Sequence, residues 1–182
     1  MALQFTTSYL EDSLSLVRYY KGLADRAMEQ LSDGQLYVVL DPEMNSIAVI
    51  AKHMAGNMLS RWSDFLASDG EKPTRDRDAE FRDPPSTREA LMKYWESGWD
   101  CVFSALGPLT DADLTRTITI RSEPHSVMQA INRQLAHYAY HAGQIVFLAK
   151  HFQSDRWKSL SVPRGASQSF NARVAKGDAS QR

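Results

Sequence analysis

Two histidines, His137 and His141, stand four residues apart in a segment whose apolar pattern is helical. In an α-helix this spacing places both imidazoles on one face, offset by about 40° around the axis and about 6 Å along it. Imidazoles in this arrangement can share one metal ion. The alternative is a pair of buried or half-buried histidines bonded to other side chains, and the spacing alone favours that alternative. A metal site therefore needs a third ligand from elsewhere.

The residues around the pair exclude the commonest zinc-protease motif. That motif requires Glu directly after the first His, whereas Tyr138 occupies this position. The sequence also contains no Ser–His–acid triad, phosphate-binding glycine loop or nucleotide fingerprint. Cys101 is the only cysteine, which excludes an internal disulfide and a cluster of thiolate ligands and is typical of a reducing compartment.

Length and composition favour one domain that spans residues 1–182, since a chain of 182 residues can bury a sizeable core. The 21 basic and 22 acidic residues nearly cancel, so we expect no nucleic-acid partner. The first ten residues lack a basic segment followed by an apolar run, and no stretch reaches about 18 apolar residues. We therefore expect a cytoplasmic protein with no membrane partner.

Apolar residues at spacings of three, four and seven predict four long helices. They cover residues 9–31, 46–66, 86–106 and 126–152. Capping-box sequences begin at Ser8, Ser86 and Ser126 and indicate three of the helix starts. Four amphipathic helices with little strand between them predict an all-α protein, a four-helix bundle whose core is a common place for a metal site.

Three other segments connect or follow the helices. Residues 68–85 are rich in Asp, Arg, Lys and Pro, a composition that cannot supply a core, so we expect a long charged crossover on the surface between helices two and three. Residues 115–120 favour a minor strand or an extended link. Residues 153–182 form a polar C-terminal tail that is expected to pack on the outside of the domain.

The three remaining histidines are candidates for the third ligand. His151 lies ten residues beyond His141, about 15 Å farther along the helix, and cannot reach the same ion. His125 precedes the fourth helix and is expected to make local hydrogen bonds. His53 lies in the middle of the second helix and can face the pair only if that helix packs beside the fourth. Spacing alone does not establish this neighbourhood.

A resemblance to a known family covers most of the chain. The matching stretches are NSIAVIAKHMAGNMLSRWSDFLASDGEKPTRDRDAE (45–80), EPHSVMQAINRQLAHYAYHAGQIVFLAK (123–150) and WKSLSVPRG (157–165). With the order and length of the helices, they resemble the DinB/YfiT-like superfamily of bacterial four-helix proteins, in a branch of unknown function. The resemblance implies a divalent ion held by one His from helix two and by the His-x3-His pair of helix four. These ligands are His53, His137 and His141.

The same resemblance implies a class of reaction and an assembly. We expect a metal-dependent enzyme that acts on a small molecule, either as a transferase with a low-molecular-weight thiol cosubstrate or as a hydrolase. Zinc and nickel are the expected metals, since imidazole suits both, and relatives of this fold are frequently homodimers. The alternative is a non-catalytic metal-binding protein with a stress or regulatory role.

Three amides and one arginine are expected near the ion. The amides each lie about one helical turn from a ligand histidine; they are Asn57, Gln134 and Gln144. They can orient a ligand or substrate, or instead satisfy buried backbone groups or one another. Arg61 extends the face that carries His53 and can meet an anionic substrate, although a solvated arginine on the helix surface is the simpler interpretation.

Overall fold

Helices make up most of the protein in a computed structural model that describes residues 8–180. This part contains six α-helices and one two-stranded sheet. The helices are α1 (Tyr9–Glu29), α2 (Asp33–Leu36), α3 (Ile47–Trp62), α4 (Arg88–Leu106), α5 (Val127–Gln153) and α6 (Ser167–Ala175), and the strands are β1 (Thr117–Ile120) and β2 (Glu123–Ser126). None of the helices in this part of the chain is long and apolar enough to cross a membrane.

The four long helices pack against one another around an apolar core. Helix α3 contacts α4 and α5, and α1 contacts α5 and α4. Almost every residue of α3 is buried, so this helix lies at the centre of the structure. Tyr138 of α5 is fully buried and accepts a hydrogen bond from Trp62 Nε1 of α3 at 2.8 Å. Helix α3 therefore lies beside α5, which is the neighbourhood that His53 requires.

Helices α3 and α4 approach most closely at Gly98. A Cβ atom at this position would lie 2.8 Å from Ala55 Cα, closer than packed backbones allow. The missing side chain lets the two backbones pack directly against each other. Because Ala55 follows His53 by two residues, this contact holds the middle of α3 at a fixed depth in the core.

The predicted helix boundaries agree with most of the observed ones. Capping boxes form at the predicted starts of α1 and α5. The capping box predicted at Ser86 is wrong, because Thr87 caps α4 by accepting a hydrogen bond from the Ala90 amide. Helix α3 ends at Trp62, four residues earlier than predicted, since Ser63 adopts an extended backbone conformation.

The minor strand predicted within residues 115–120 is confirmed as β1, and its partner β2 is a strand that the sequence did not predict. Pro124 lies inside β2, and proline in a short polar run favours a loop. The pairing is antiparallel and joins Ile118 to His125. In the polar tail, residues 153–182, the short helix α6 forms without burying any of its residues.

The crossover, residues 68–85, does not stay on the surface as its composition predicts. Glu80 is 5% exposed and the Arg75 side chain is 5% exposed. Arg75 Nε and Nη2 donate to the two oxygens of Glu80 at 2.7 and 2.8 Å. A bidentate pair of this kind offsets much of the free energy that burying either charge alone would cost. Charged residues from the crossover therefore form part of the interior.

A two-residue turn, Arg121–Ser122, joins the strands and holds the crossover. Both residues have left-handed backbone conformations, with φ of 53° and 62°. Asp69 of the crossover accepts hydrogen bonds from both of their amides, each at 2.8 Å. Backbone hydrogen bonds from Glu71 and Ser122 lower the pKa of Asp69 below its usual value, so the bonds are made to a carboxylate.

Ser122→Gly should raise the free energy of unfolding by about 1 kcal/mol, because glycine adopts the left-handed conformation without the steric penalty of a side chain. Chemical denaturation followed by circular dichroism measures this change. Ser104→Gly, at an exposed position inside α4, is the matched control and should lower stability by about 0.5 kcal/mol. Equal effects of the two substitutions would contradict the prediction.

Candidate metal centre

Three histidines from α3 and α5 converge in the structure. One ring nitrogen from each of His53, His137 and His141 lies within 4.8 Å of those of the other two. The Nε2 atoms of His53 and His137 are 3.2 Å apart. Two nitrogens bound at about 2.1 Å to one tetrahedral ion would be about 3.4 Å apart. The spacing of the cluster therefore suits a single shared ion.

Hydrogen bonds at the outer nitrogens orient two of the three imidazoles. Glu80 Oε2 accepts a hydrogen bond from His53 Nδ1, and Gln144 Oε1 accepts one from His141 Nδ1, each at 2.8 Å. A nitrogen that donates carries the ring proton, so Nε2 of each ring presents a lone pair to the cluster. Metal-binding histidines usually have such acceptors behind them. His137 Nδ1 is buried and has no partner.

Two of the three clustered histidines, His137 and His141, are uncharged at neutral pH. Burial, followed by the neighbouring His141 and His53, lowers the pKa of His137 to about 3. Burial also lowers the pKa of His141 to about 4, although its hydrogen bond to Gln144 acts in the opposite direction. Neutral imidazole is the form that binds metals. The site is therefore ready to accept a cation without first losing protons from these two rings.

Glu80 is a functional residue that the sequence did not reveal. Burial would raise the pKa of its carboxyl group, but the hydrogen bond from His53 and the charge of Arg75 hold that pKa below its usual value. Gly56 makes room for it, because a Cβ atom there would lie 2.6 Å from Glu80 Oε1. The ionised carboxylate fixes the tautomer of His53 and increases its basicity as a ligand.

Helix α3 holds the crossover at both of its ends. Ser60 Oγ donates to the Gly70 carbonyl at 3.1 Å and accepts from the Lys72 amide at 3.0 Å. At the other end, Lys52 Nζ donates to the carbonyls of Ala79 and Arg82, each at 2.6 Å. These bonds attach the start and the end of the crossover to α3, the helix that carries His53. The crossover is therefore fixed in a position that places Glu80 beside the cluster.

Three of the four other predicted site residues share one cavity, and the fourth, Gln144, bonds His141. Asn57, Arg61 and Gln134 are buried and line one cavity with His53 and His137. The interpretation of Arg61 as a solvated surface residue is wrong, because the residue is only 6% exposed. Helix α3 is covered on this side by the crossover and the sheet, which its sequence pattern does not indicate.

The histidines outside the cluster occupy different surroundings. His125 lies in β2, where its Nδ1 is 3.0 Å from the Glu123 carbonyl oxygen, and His151 is exposed near the end of α5. Neither belongs to the cluster of candidate ligands in the described residues. The expected local hydrogen bond of His125 is present in the structure.

One signal in the sequence could have indicated that the crossover reaches the site. Phe81 is an aromatic residue within a strongly charged run, and an aromatic side chain contributes most to stability when it packs against other groups. In the structure it stacks on His53, with ring centroids 4.4 Å apart. Arg75 and Glu80 carry no comparable signal, because Arg and Glu in a polar segment are usually solvated.

Residues 4–166 of the sequence match a family described as "Protein of unknown function (DUF1572)". The chain belongs to this family. No curated protein matches it. The DUF1572 match includes all three cluster histidines and the whole crossover, so the candidate site lies within the family's own boundaries. The family description assigns no activity.

Glu80→Gln should weaken zinc binding about 10- to 100-fold, because the variant keeps a hydrogen-bond acceptor for His53 but loses the negative charge behind the ligand. Competition with a chromogenic chelator measures the dissociation constant, and circular dichroism checks the fold. Glu89→Gln, an exposed residue of α4, should leave affinity unchanged. Equal zinc affinity in wild type and Glu80→Gln would show that the carboxylate does not support the ligand.

The metal-free protein should lose stability as the pH falls from 7 to 5. In this window the unfolded chain protonates His137 and His141 near their ordinary pKa of 6.5, whereas the folded chain does not, since their folded values are about 3 and about 4. Denaturation at several pH values gives the slope. His137→Gln should reduce the slope, and His151→Gln should not. A slope unchanged in His137→Gln would contradict the depressed pKa.

Proposed function

We propose that the protein is an enzyme that uses one divalent ion, zinc or nickel, to act on a small molecule by thiol transfer or hydrolysis. His53, His137 and His141 would hold the ion through their ring nitrogens. The observation that carries the proposal is the preset tautomer of His53 and His141, whose lone pairs already face the cluster because Glu80 and Gln144 accept the outer protons. The same two bonds would satisfy packed histidines, so the proposal rests on the convergence of the three inward-facing ring nitrogens as well.

Three protein ligands leave part of the coordination sphere of zinc or nickel for a substrate, which is typical of catalytic rather than structural sites. A cavity of about 440 Å³ lies beside the cluster and is lined by His53 and His137, so a small molecule has room to approach them. When bound, the ion supplies Lewis acidity and lowers the pKa of a water or thiol that it holds.

The amides beside the cavity are suited to orienting a substrate. Asn57 Oδ1 and Gln134 Oε1 are buried and have no hydrogen-bond partner among the described residues. A buried carbonyl oxygen without a partner is unfavourable, so both atoms favour a ligand that donates hydrogen bonds to them. Glu80 has a separate role, which is to hold the proton on His53 Nδ1.

We further propose that the fold is the DinB/YfiT-like four-helix bundle and that two copies form a homodimer in the cytoplasm. The pairwise contacts among α1, α3, α4 and α5 support the bundle. Two aromatic residues on the same face of α5, Tyr140 and Phe147, are 62% and 67% exposed, and helical proteins often cover such residues in a dimer. Light scattering coupled to size-exclusion chromatography tests the assembly.

Metal content and turnover test the function together. Protein purified without an affinity tag or added metal should contain about one zinc or nickel per chain by elemental analysis. Conjugation of a small thiol to an activated aryl chloride and hydrolysis of a nitrophenyl ester should then depend on that metal. A protein that binds the ion but shows neither activity would favour a sensing or regulatory role, and a protein without the ion would overturn the proposal.

His137→Ala should reduce metal-dependent activity by more than about 100-fold, because removing a ligand from an open site removes several kcal/mol of transition-state stabilisation. The free energy of unfolding should fall by only about 1–3 kcal/mol, since the apolar face of α5 still packs. Parallel rate and denaturation measurements separate the two effects, with His151→Ala as control. Unfolding of this variant where metal-stripped wild type stays folded would make His137 a packing residue.

A further inference from the structure

The cavity beside the histidine cluster is strongly basic. Five arginines line it: Arg61, Arg75, Arg77, Arg121 and Arg133. None of its described lining residues is acidic. Two carboxylates outside the lining, Glu71 and Glu80, offset part of this charge by pairing with Arg75. The wall of the cavity therefore keeps an excess of positive charge next to the neutral imidazole of His137.

Arg61 is the least satisfied of these arginines. The residue is 6% exposed, and its Nε and Nη1 atoms are buried without a hydrogen-bond partner. The nearest carboxylate oxygen, Glu71 Oε2, is 3.6 Å from Nη2, which is too far for a hydrogen bond. Burial lowers the pKa of Arg61, while the charge of Glu71 raises it, and a guanidinium stays protonated in proteins. A buried cation with free donors is unfavourable unless a ligand meets it.

The unpartnered polar atoms of the protein are concentrated in this cavity. Among the described residues, six buried side-chain atoms have no hydrogen-bond partner, and all but Trp99 Nε1 belong to residues that line it. The five are Asn57 Oδ1, Arg61 Nε, Arg61 Nη1, Gln134 Oε1 and His137 Nδ1. The set combines hydrogen-bond donors of the Arg61 guanidinium with hydrogen-bond acceptors of two side-chain amides. A ligand that satisfies it must carry both a negative group and hydrogen-bond donors.

The exposed arginines at the mouth of the cavity suit capture of the same ligand. Arg133 is exposed and makes no ion pair with any described residue, and Arg121 shares Glu71 with two other guanidiniums. Like charges around an opening raise the local concentration of anions and speed their association. Arg133 lies on α5 one turn before His137, so an anion captured there is adjacent to the cluster.

We propose that the cavity binds a small molecule through an oxyanion group, a carboxylate or a phosphate, with Arg61 as the buried anchor and Arg133 at the rim. Guanidinium groups recognise both oxyanions by paired, charge-assisted hydrogen bonds. Hydroxyl or amino groups of the same molecule would donate to Asn57 and Gln134. This names the substrate class of the proposed metal-dependent enzyme and rests on that function, because only the adjacent cluster would supply the reaction.

Calorimetric titration of metal-free protein with inorganic phosphate, and separately with succinate, tests the anion site without involving the ion. Wild type should bind at least one probe saturably, and the tighter probe identifies the oxyanion. Arg61→Met and Arg133→Met should each weaken binding at least about 10-fold, which corresponds to about 1.4 kcal/mol. Arg156→Met removes the same charge from an exposed position beyond the end of α5, which lies about 30 Å along the helix from Arg133, and should not weaken it.

The outcomes separate this inference from the proposed function. Zinc stoichiometry is measured on the same variants and should remain at one per chain in Arg61→Met. Zinc binding without saturable binding of either anion overturns the inference and leaves the metal site standing. Anion binding without zinc binding keeps the oxyanion cavity and overturns the metal-dependent function. If Arg156→Met weakens binding as much as Arg61→Met does, the attraction is non-specific and the inference is wrong. Arg133→Met, at an exposed position, decides the matter should Arg61→Met fail to fold.

Discussion

The position of the crossover beside α3 depends on one carboxylate, which is buried between a guanidinium and an imidazole. Glu80 bonds Arg75 on one side and His53 on the other. Alone, such a charge would cost several kcal/mol to bury, and removing one partner of a buried pair commonly costs about 3–5 kcal/mol. The path of the crossover, the tautomer of His53 and one wall of the cavity all depend on this chain of bonds. Lys52 and Ser60 of α3 also bond the crossover, which keeps the crossover in place beside the buried charges.

Neutral and charged side chains lie close together in the interior around the site. Burial keeps His137 and His141 neutral, whereas Arg61, which lines the same cavity as His137, remains charged and only partly neutralised. A core selected for stability alone would satisfy or exclude these polar groups. Their concentration in one cavity is a local cost in stability, which a bound ligand of the proposed kind would offset. Trp95 and Trp99 of α4 and Tyr138 of α5 are fully buried and pack edge to face, which stabilises the core next to the site.

The sequence predicted those features that depend on local periodicity. The four long helices and the single-face placement of His137 and His141 follow from spacing, and the minor strand follows from propensity. The neighbourhood of His53 required a family resemblance, because contact between α3 and α5 is not encoded in either helix alone. The sequence could not predict the role of Glu80 or the burial of Arg61, for a physical reason. Whether a charged side chain is solvated or buried depends on the partners that tertiary structure brings to it, and its own segment does not specify them.

The distribution of the candidate ligands over two distant helices has a topological consequence. His53 and His137 are 84 residues apart in the chain, so a bound ion would close a loop that contains α4, the crossover and the sheet. Closing a loop of about 100 residues with a covalent link removes about 4–5 kcal/mol of chain entropy from the unfolded state in the simplest model. With one cysteine, the chain cannot form an internal disulfide. A bound metal would thus act as a reversible cross-link that adds to the stability of a chain already folded without it.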